Sequence, residues 1–191
     1  MTQYAYFKGA IRPIDEARVS VMTHALNYGT GWFGGLRGYW NAEDGQLYVI
    51  RILDHYRRVL NSGKIMFADL PYTPEQLAAI TLDLLRREGY REDCYIRPLA
   101  YKADEGIGVR LHGLHDELTI FSLAFGRYLQ AEEGAKVCFS SWRRVDDNMI
   151  PARGKLTGSY VNSALIKSEA VLNGYDEALV LTHDGHISEG S

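Results

Sequence analysis

The period of the apolar positions changes several times along the chain, and each change marks an element. Tyr4 to Lys8 alternates weakly, and Ala17 to Met22 is a short β-branched run. Leu36 to Trp40 and Leu47 to Ile50 flank the turn Asn41-Ala-Glu-Asp-Gly45. All four runs read as strands, the last two as a hairpin around Asp44-Gly45. Ile52, His55, Tyr56, Val59 and Leu60 then recur at helical spacing. A second helix is expected from Thr73-Pro74-Glu75-Gln76: Thr73 can cap, Pro74 suits the first helical position and Gln76 completes a capping box. Its apolar stripe is Leu77, Ile80 and Leu84, and Gly89 ends it. Long strands are expected at Cys94 to Lys102 and Glu117 to Phe125.

Gly126 to Gly134 is polar and without periodicity, which makes 126–135 an interdomain linker between 1–125 and 136–191. The pattern then restarts with a strand at Lys136 to Trp142, a Gly-rich loop, a helix at Tyr160 to Leu172 and a strand at Glu177 to Thr182. His183-Asp184-Gly185-His186 turns into one more strand. The expected fold is a small, mostly antiparallel α+β N-terminal domain followed by the first part of an α/β domain. The latter has only ~55 residues, too few to close a core of its own.

Composition narrows the chemistry. With 46% hydrophobic and 24% charged residues the chain reads as a soluble, cytoplasmic globular protein. A net charge of −3 gives no reason to expect nucleic acid or a membrane surface as partner. Cys94 and Cys138 sit in strand-like runs, as reduced cysteines do. No leader or membrane-length apolar run is visible.

Gly29-Thr-Gly31-Trp-Phe-Gly34 matches GxGxxG, but no apolar strand leads into it and a strand follows where a helix should. These glycines are better explained by tight turns and close backbone approach. His112-x-x-His115 and His183-x-x-His186 lack acidic or cysteine partners in sequence and read as surface histidines, so no metal is expected. His24 and His55 read as hydrogen-bonded structural residues. No nucleophile elbow or cysteine-nucleophile setting is present. Lys155 stands between glycines in a loop that joins a strand to a helix. Such a lysine is usually a solvated charge. A nucleophilic lysine must be neutral, and Arg153 two residues away could favour that form, with Tyr160 offering a phenol at the head of the next helix.

Five blocks, in order, resemble the fold-type IV pyridoxal-phosphate enzymes, D-amino acid aminotransferase-like in fold, and within them the branched-chain amino acid aminotransferases. They are MTHALNYGTGWFGGLRGY (22–39), RILDHYRRVLNSGKIM (51–66), YIRPLAYKADEGIGV (95–109), SSWRRVDDNMIPARGKLTGSYVNSALIKSEA (140–170) and HISEGS (186–191). The resemblance implies that Lys155 bonds covalently to pyridoxal 5'-phosphate and then moves the substrate proton. It implies that Glu189 keeps the pyridine nitrogen protonated, that Arg58 binds the phosphate and that Tyr160 lies near the cofactor's phenolic oxygen. Arg57 adjoins Arg58, and the sequence does not choose between a phosphate ligand and an exposed helix charge there.

For substrate, the resemblance implies Tyr28, Phe33, Arg37, Tyr95, Arg97 and Val109. Tyr95 and Arg97 share a strand face by their spacing, and such a pair suits a carboxylate ligand. The implied reaction is ping-pong transamination of leucine, isoleucine or valine with 2-oxoglutarate, in a homodimer. The rivals within the fold are D-amino acid and R-amine transaminases. Members of the resembled family continue on the order of a hundred residues further, an ordinary domain's worth. The chain is therefore expected to be part of a full enzyme, the alternative being a non-catalytic fragment.

Overall fold

A computed structural model describes residues 3–126 and 134–191. The chain divides into two compact units, Met1–Gly126 and Arg127–Ser191. The expected linker at 126–135 falls largely on residues outside those described.

The first unit is built on a seven-stranded antiparallel sheet in the order β2-β1-β7-β6-β4-β5, with β3 also paired to β6. Its strands are β1 (Tyr4–Phe7), β2 (Ala10–Pro13), β3 (Gly31–Phe33), β4 (Leu36–Asn41), β5 (Gln46–Val49), β6 (Cys94–Lys102) and β7 (Asp116–Ala124). The two nine-residue strands β6 and β7 pair along their whole length, from Cys94↔Ala124 to Lys102↔Asp116. On its other edge β6 takes β4 at Leu36↔Ile96 and β3 at Phe33↔Leu99, and the gap between them falls at Pro98. A proline is tolerated there because the ladder is interrupted at the edge where its N–H would have pointed, while its carbonyl still accepts from the Gly34 N–H at 2.9 Å.

Two helices, α2 (Ile52–Ile65) and α3 (Pro74–Glu88), pack on this sheet and on each other. The capping box at Thr73 and Gln76 and the left-handed Gly89 at the C-cap form as the sequence predicts. Trp32, fully buried, donates from its indole to the Val59 carbonyl at 3.0 Å, and the Tyr56 hydroxyl meets Thr81. Gly63 lets α2 approach that indole, since a Cβ would lie 3.1 Å from the ring. Lys102 and Asp116, register partners 0% and 8% exposed, form an ion pair at 2.9 Å. Burial pushes the Cys94 thiol up to about 11, so it stays protonated.

One expectation fails here, and two elements were not foreseen. Ala17 to Met22 is irregular and largely exposed, with no strand ladder. Its β-branched residues have neither a partner strand nor a face to bury, and strand preference means little without them. Nor does the hydrophobic pattern reveal β2, which sits at the sheet edge and so tolerates Pro13, or the five-residue α1 (His24–Tyr28), which is too short for a period.

The second unit has a three-stranded sheet, β10-β9-β8, made of β8 (Val137–Arg143), β9 (Glu177–Leu181) and β10 (Ile187–Gly190). β8 and β9 are parallel, so the chain must cross over, and α4 (Tyr160–Leu172) does so. β10 returns antiparallel, with a bulge between Ile187 and Glu189. Ile166, Ala170, Ala178 and Val180 form its core, with Cys138 against them. Among the described residues no helix is long and apolar enough to cross a membrane.

Candidate active site

The loop between β8 and α4 carries Lys155, and hydrogen bonds hold it in shape. The Asp146 carboxylate accepts from the Asn148 N–H at 2.8 Å, and Asp147 accepts from the Ala152 N–H at 2.8 Å. Leu156, directly after Lys155, is buried. Asn162 on the first turn of α4 donates to the Arg143 carbonyl at 3.0 Å and accepts from the Val145 N–H at 3.4 Å. This ties the start of the helix to the end of the strand. Lys155, half-buried, donates from Nζ to the Tyr160 hydroxyl at 3.1 Å. Arg153, expected to favour the neutral lysine, is exposed and pairs with Asp147 at 2.6 Å.

Glu189 lies just past the bulge in β10. Arg144, missed by the sequence reading, holds its Oε1 at 2.8 Å from Nε and donates from Nη1 to Ser163 on α4 at 2.9 Å. The Arg144 side chain is 18% exposed and that of Glu189 53%, so the carboxylate is anchored yet open. The tandem Arg143-Arg144 was the available signal, but a dipeptide does not say which residue turns inward.

In the first unit the structure separates the two arginines that the sequence could not. Arg57 is exposed and pairs with Asp54 at 2.8 Å, whereas Arg58 is half-buried and in no ion pair recorded among the described residues. His55, expected to be hydrogen-bonded, instead has a buried Nδ1 with no partner among the described residues, and its pKa is lowered by burial and then by the Arg58 charge.

The six expected substrate residues fall into two groups. Arg37 and Tyr95 are register partners across β4 and β6, and Arg97 follows two residues along the same face. Arg97 donates from Nε to the Tyr95 hydroxyl at 2.9 Å, and its guanidinium lies 4.1 Å from the centre of the Phe33 ring. Gly35 makes room, since a Cβ there would lie 2.6 Å from the Tyr95 hydroxyl oxygen. Arg37 is turned to the end of β7: its Nη2 donates to the Phe125 and Gly126 carbonyls at 3.1 and 2.8 Å, and its Nε is buried without a partner among the described residues. Tyr28 and Val109 form the second group, where the Tyr28 hydroxyl accepts from the Gly108 N–H at 3.1 Å.

The rival motifs have structural explanations. Gly29 caps α1 at φ 66°, and a Cβ on Gly34 would lie 2.9 Å from Val59 Cγ2, so turn geometry and close approach account for both ends of the GxGxxG match. His115 and His186 are exposed and face Glu117 and Asp184, each at 3.0 Å.

The second unit is thus a β-α-β unit with a hydrogen-bonded lysine and a braced acid, and the first is an antiparallel sheet with an arginine–tyrosine face. Residues 36–191 match the amino-transferase class IV family, and the chain belongs to it. Over 188 residues it is 46% identical to a probable branched-chain-amino-acid aminotransferase of Aquifex aeolicus, covering 98% of this chain and 60% of that protein. The Escherichia coli (strain K12) branched-chain-amino-acid aminotransferase is 36% identical, with 98% and 61% covered. Among solved structures, the branched-chain aminotransferase of Thermoproteus uzoniensis with norvaline superposes with a TM-score of 0.94 at 41% identity, covering 100% of this chain and 63% of that one. The branched-chain amino acid aminotransferase of Thermobaculum terrenum in its PLP form gives 0.90 at 34% identity, with 99% and 62% covered. The chain thus spans about three-fifths of the length of these relatives.

Proposed function

We propose that this protein is a pyridoxal-phosphate-dependent transaminase of leucine, isoleucine and valine, with 2-oxoglutarate as amino acceptor. The observation that carries it is the Lys155 amine held on the Tyr160 hydroxyl in the unit that also braces Glu189. The residues fit the cofactor's chemistry: an amine for its aldehyde, a phenol for its phenolic oxygen and a carboxylate for its ring nitrogen. When bound, that group withdraws electrons from the substrate's α-carbon.

Lys155 would supply the amine that holds the cofactor, and that amine would move the proton at the substrate's α-carbon. Tyr160 orients that amine. Arg144 holds Glu189 in place and keeps an opposite charge beside it. Arg58, half-buried and in no recorded ion pair, is the guanidinium suited to a phosphate. Arg97, stacked on Phe33 and steered by Tyr95, is suited to a carboxylate, while Phe33, Tyr28 and Val109 offer apolar surface to an aliphatic side chain.

The relatives' names support branched-chain substrates. Exposed Val19, Val21, Met22 and Leu26 support a homodimer. Assay of L-leucine, D-alanine and R-1-phenylethylamine with 2-oxoglutarate tests the substrate class. L-leucine is expected to turn over fastest, and preference for either of the others overturns the assignment. Visible absorbance of bound cofactor at the intact mass tests the cofactor, and its absence would favour a non-catalytic fragment. Light scattering tests the dimer, which an active monomer contradicts.

A further inference from the structure

The loop from Ala103 to His115 closes at its base: the Ala103 N–H donates to the His115 carbonyl at 2.9 Å, and the His115 N–H donates to the Asp104 carboxylate. Its tip carries Ile107 and Val109, 93% and 74% exposed, on either side of Gly108. Two apolar side chains in water on a loop tip would ordinarily be mobile. Here the backbone between them is held from both sides. The Tyr28 hydroxyl accepts the Gly108 N–H at 3.1 Å, and His24 Nε2 reaches the Gly108 carbonyl at 2.8 Å.

A carbonyl can only accept, so Nε2 carries the proton. In the neutral ring Nδ1 is then the acceptor, and the Thr30 hydroxyl at 2.7 Å donates to it. His24 is 3% exposed and lies against the Tyr28 ring, with centroids 4.8 Å apart. The two side chains come from one short helix, α1, whose first N–H also donates to the Asp104 carbonyl at 2.8 Å. The peptide units on both sides of Gly108 are therefore fixed, and Gly108 sits at φ +137°, where a side chain would be strained.

We infer that His24 is a positioning residue that, with Tyr28, clamps Gly108 and so sets the apolar tip Ile107–Val109 that discriminates substrate side chains by size. This rests on the proposed substrate role of Val109. The hydrogen-bond set predicts which replacements keep the clamp. In His24→Gln the amide nitrogen can reach the Gly108 carbonyl in place of Nε2. In His24→Asn the shorter amide can reach Thr30 but stops short of Gly108.

The test uses the full-length holoenzyme. Amide exchange of the peptide spanning residues 104–113 is expected to be roughly tenfold faster in His24→Asn and nearly unchanged in His24→Gln, the scale of one buried hydrogen bond. The ratio of kcat/KM for L-leucine over L-alanine should fall by a similar roughly tenfold factor in His24→Asn and recover in His24→Gln. Equal exchange in all three proteins overturns the clamp, whatever the activity. Faster exchange with an unchanged substrate ratio overturns the specificity role. A wild type that transaminates neither substrate overturns the proposed function instead, and the exchange result then decides the clamp alone.

Discussion

The two units hold their functional residues rigid by different means. In the first, Tyr95 and Arg97 stand on alternate positions of β6 while Ile96 and Ala100 on the opposite face are wholly buried, so the face they share is the back of a finished core. In the second, Ile166, Ala170, Ala178 and Val180 form a small core, while Phe139, Trp142, Leu172 and Ile187 are exposed. Lys155 and Glu189 keep their places there through side-chain bonds from Asn162, Asp146, Asp147 and Arg144. Burial positions the groups proposed for recognition; hydrogen bonds position those proposed to react. The first arrangement should resist change through packing, the second through polar contacts that single substitutions remove.

The sharpest way to break this comparison is at Lys155. In the full-length protein Lys155→Ala is expected to lower kcat by about 1,000-fold or more while the circular dichroism spectrum is kept, and near-normal turnover would remove the lysine from the mechanism. Next is the buried pair of the first unit. Asp116→Ala leaves Lys102 without its partner in a dry site and should cost about 3–5 kcal/mol in urea unfolding. A loss under about 1 kcal/mol would show that the pair is hydrated.

Arg97→Leu probes recognition, and KM for 2-oxoglutarate should rise on the order of tenfold to a hundredfold, more than KM for leucine. Equal changes for both would deny Arg97 a carboxylate role. Gly34→Ala drives a Cβ against Val59 and Pro98 and should cost about 1–3 kcal/mol, measured by thermal unfolding. The smallest effect belongs to Thr73→Ala, about 1 kcal/mol from the lost cap, read the same way.

Much of the frame was legible in the chain. The capping box, both long strands and the span of α4 were readable because each rests on local contacts or a sustained period. The spacing of Tyr95 and Arg97 placed them on one face for the same reason. Ala17 to Met22 misled because its residues favour strands while the fold gives it no partner, and α1 was invisible at five residues.

Sequence alone determined the long elements, from the β4–β5 hairpin and the two helices of the first unit to the β8-α4-β9 crossover, since these follow from periodicity, caps and turn residues, while the candidate site residues came from resemblance to a family. Tertiary structure decided which of Arg57 and Arg58 is already paired, that Arg153 turns to Asp147, that Arg144 braces Glu189 and that His24 reaches Gly108, 84 positions away. Those outcomes depend on which charges and hydrogen-bonding groups distant segments bring together, and no local pattern encodes that.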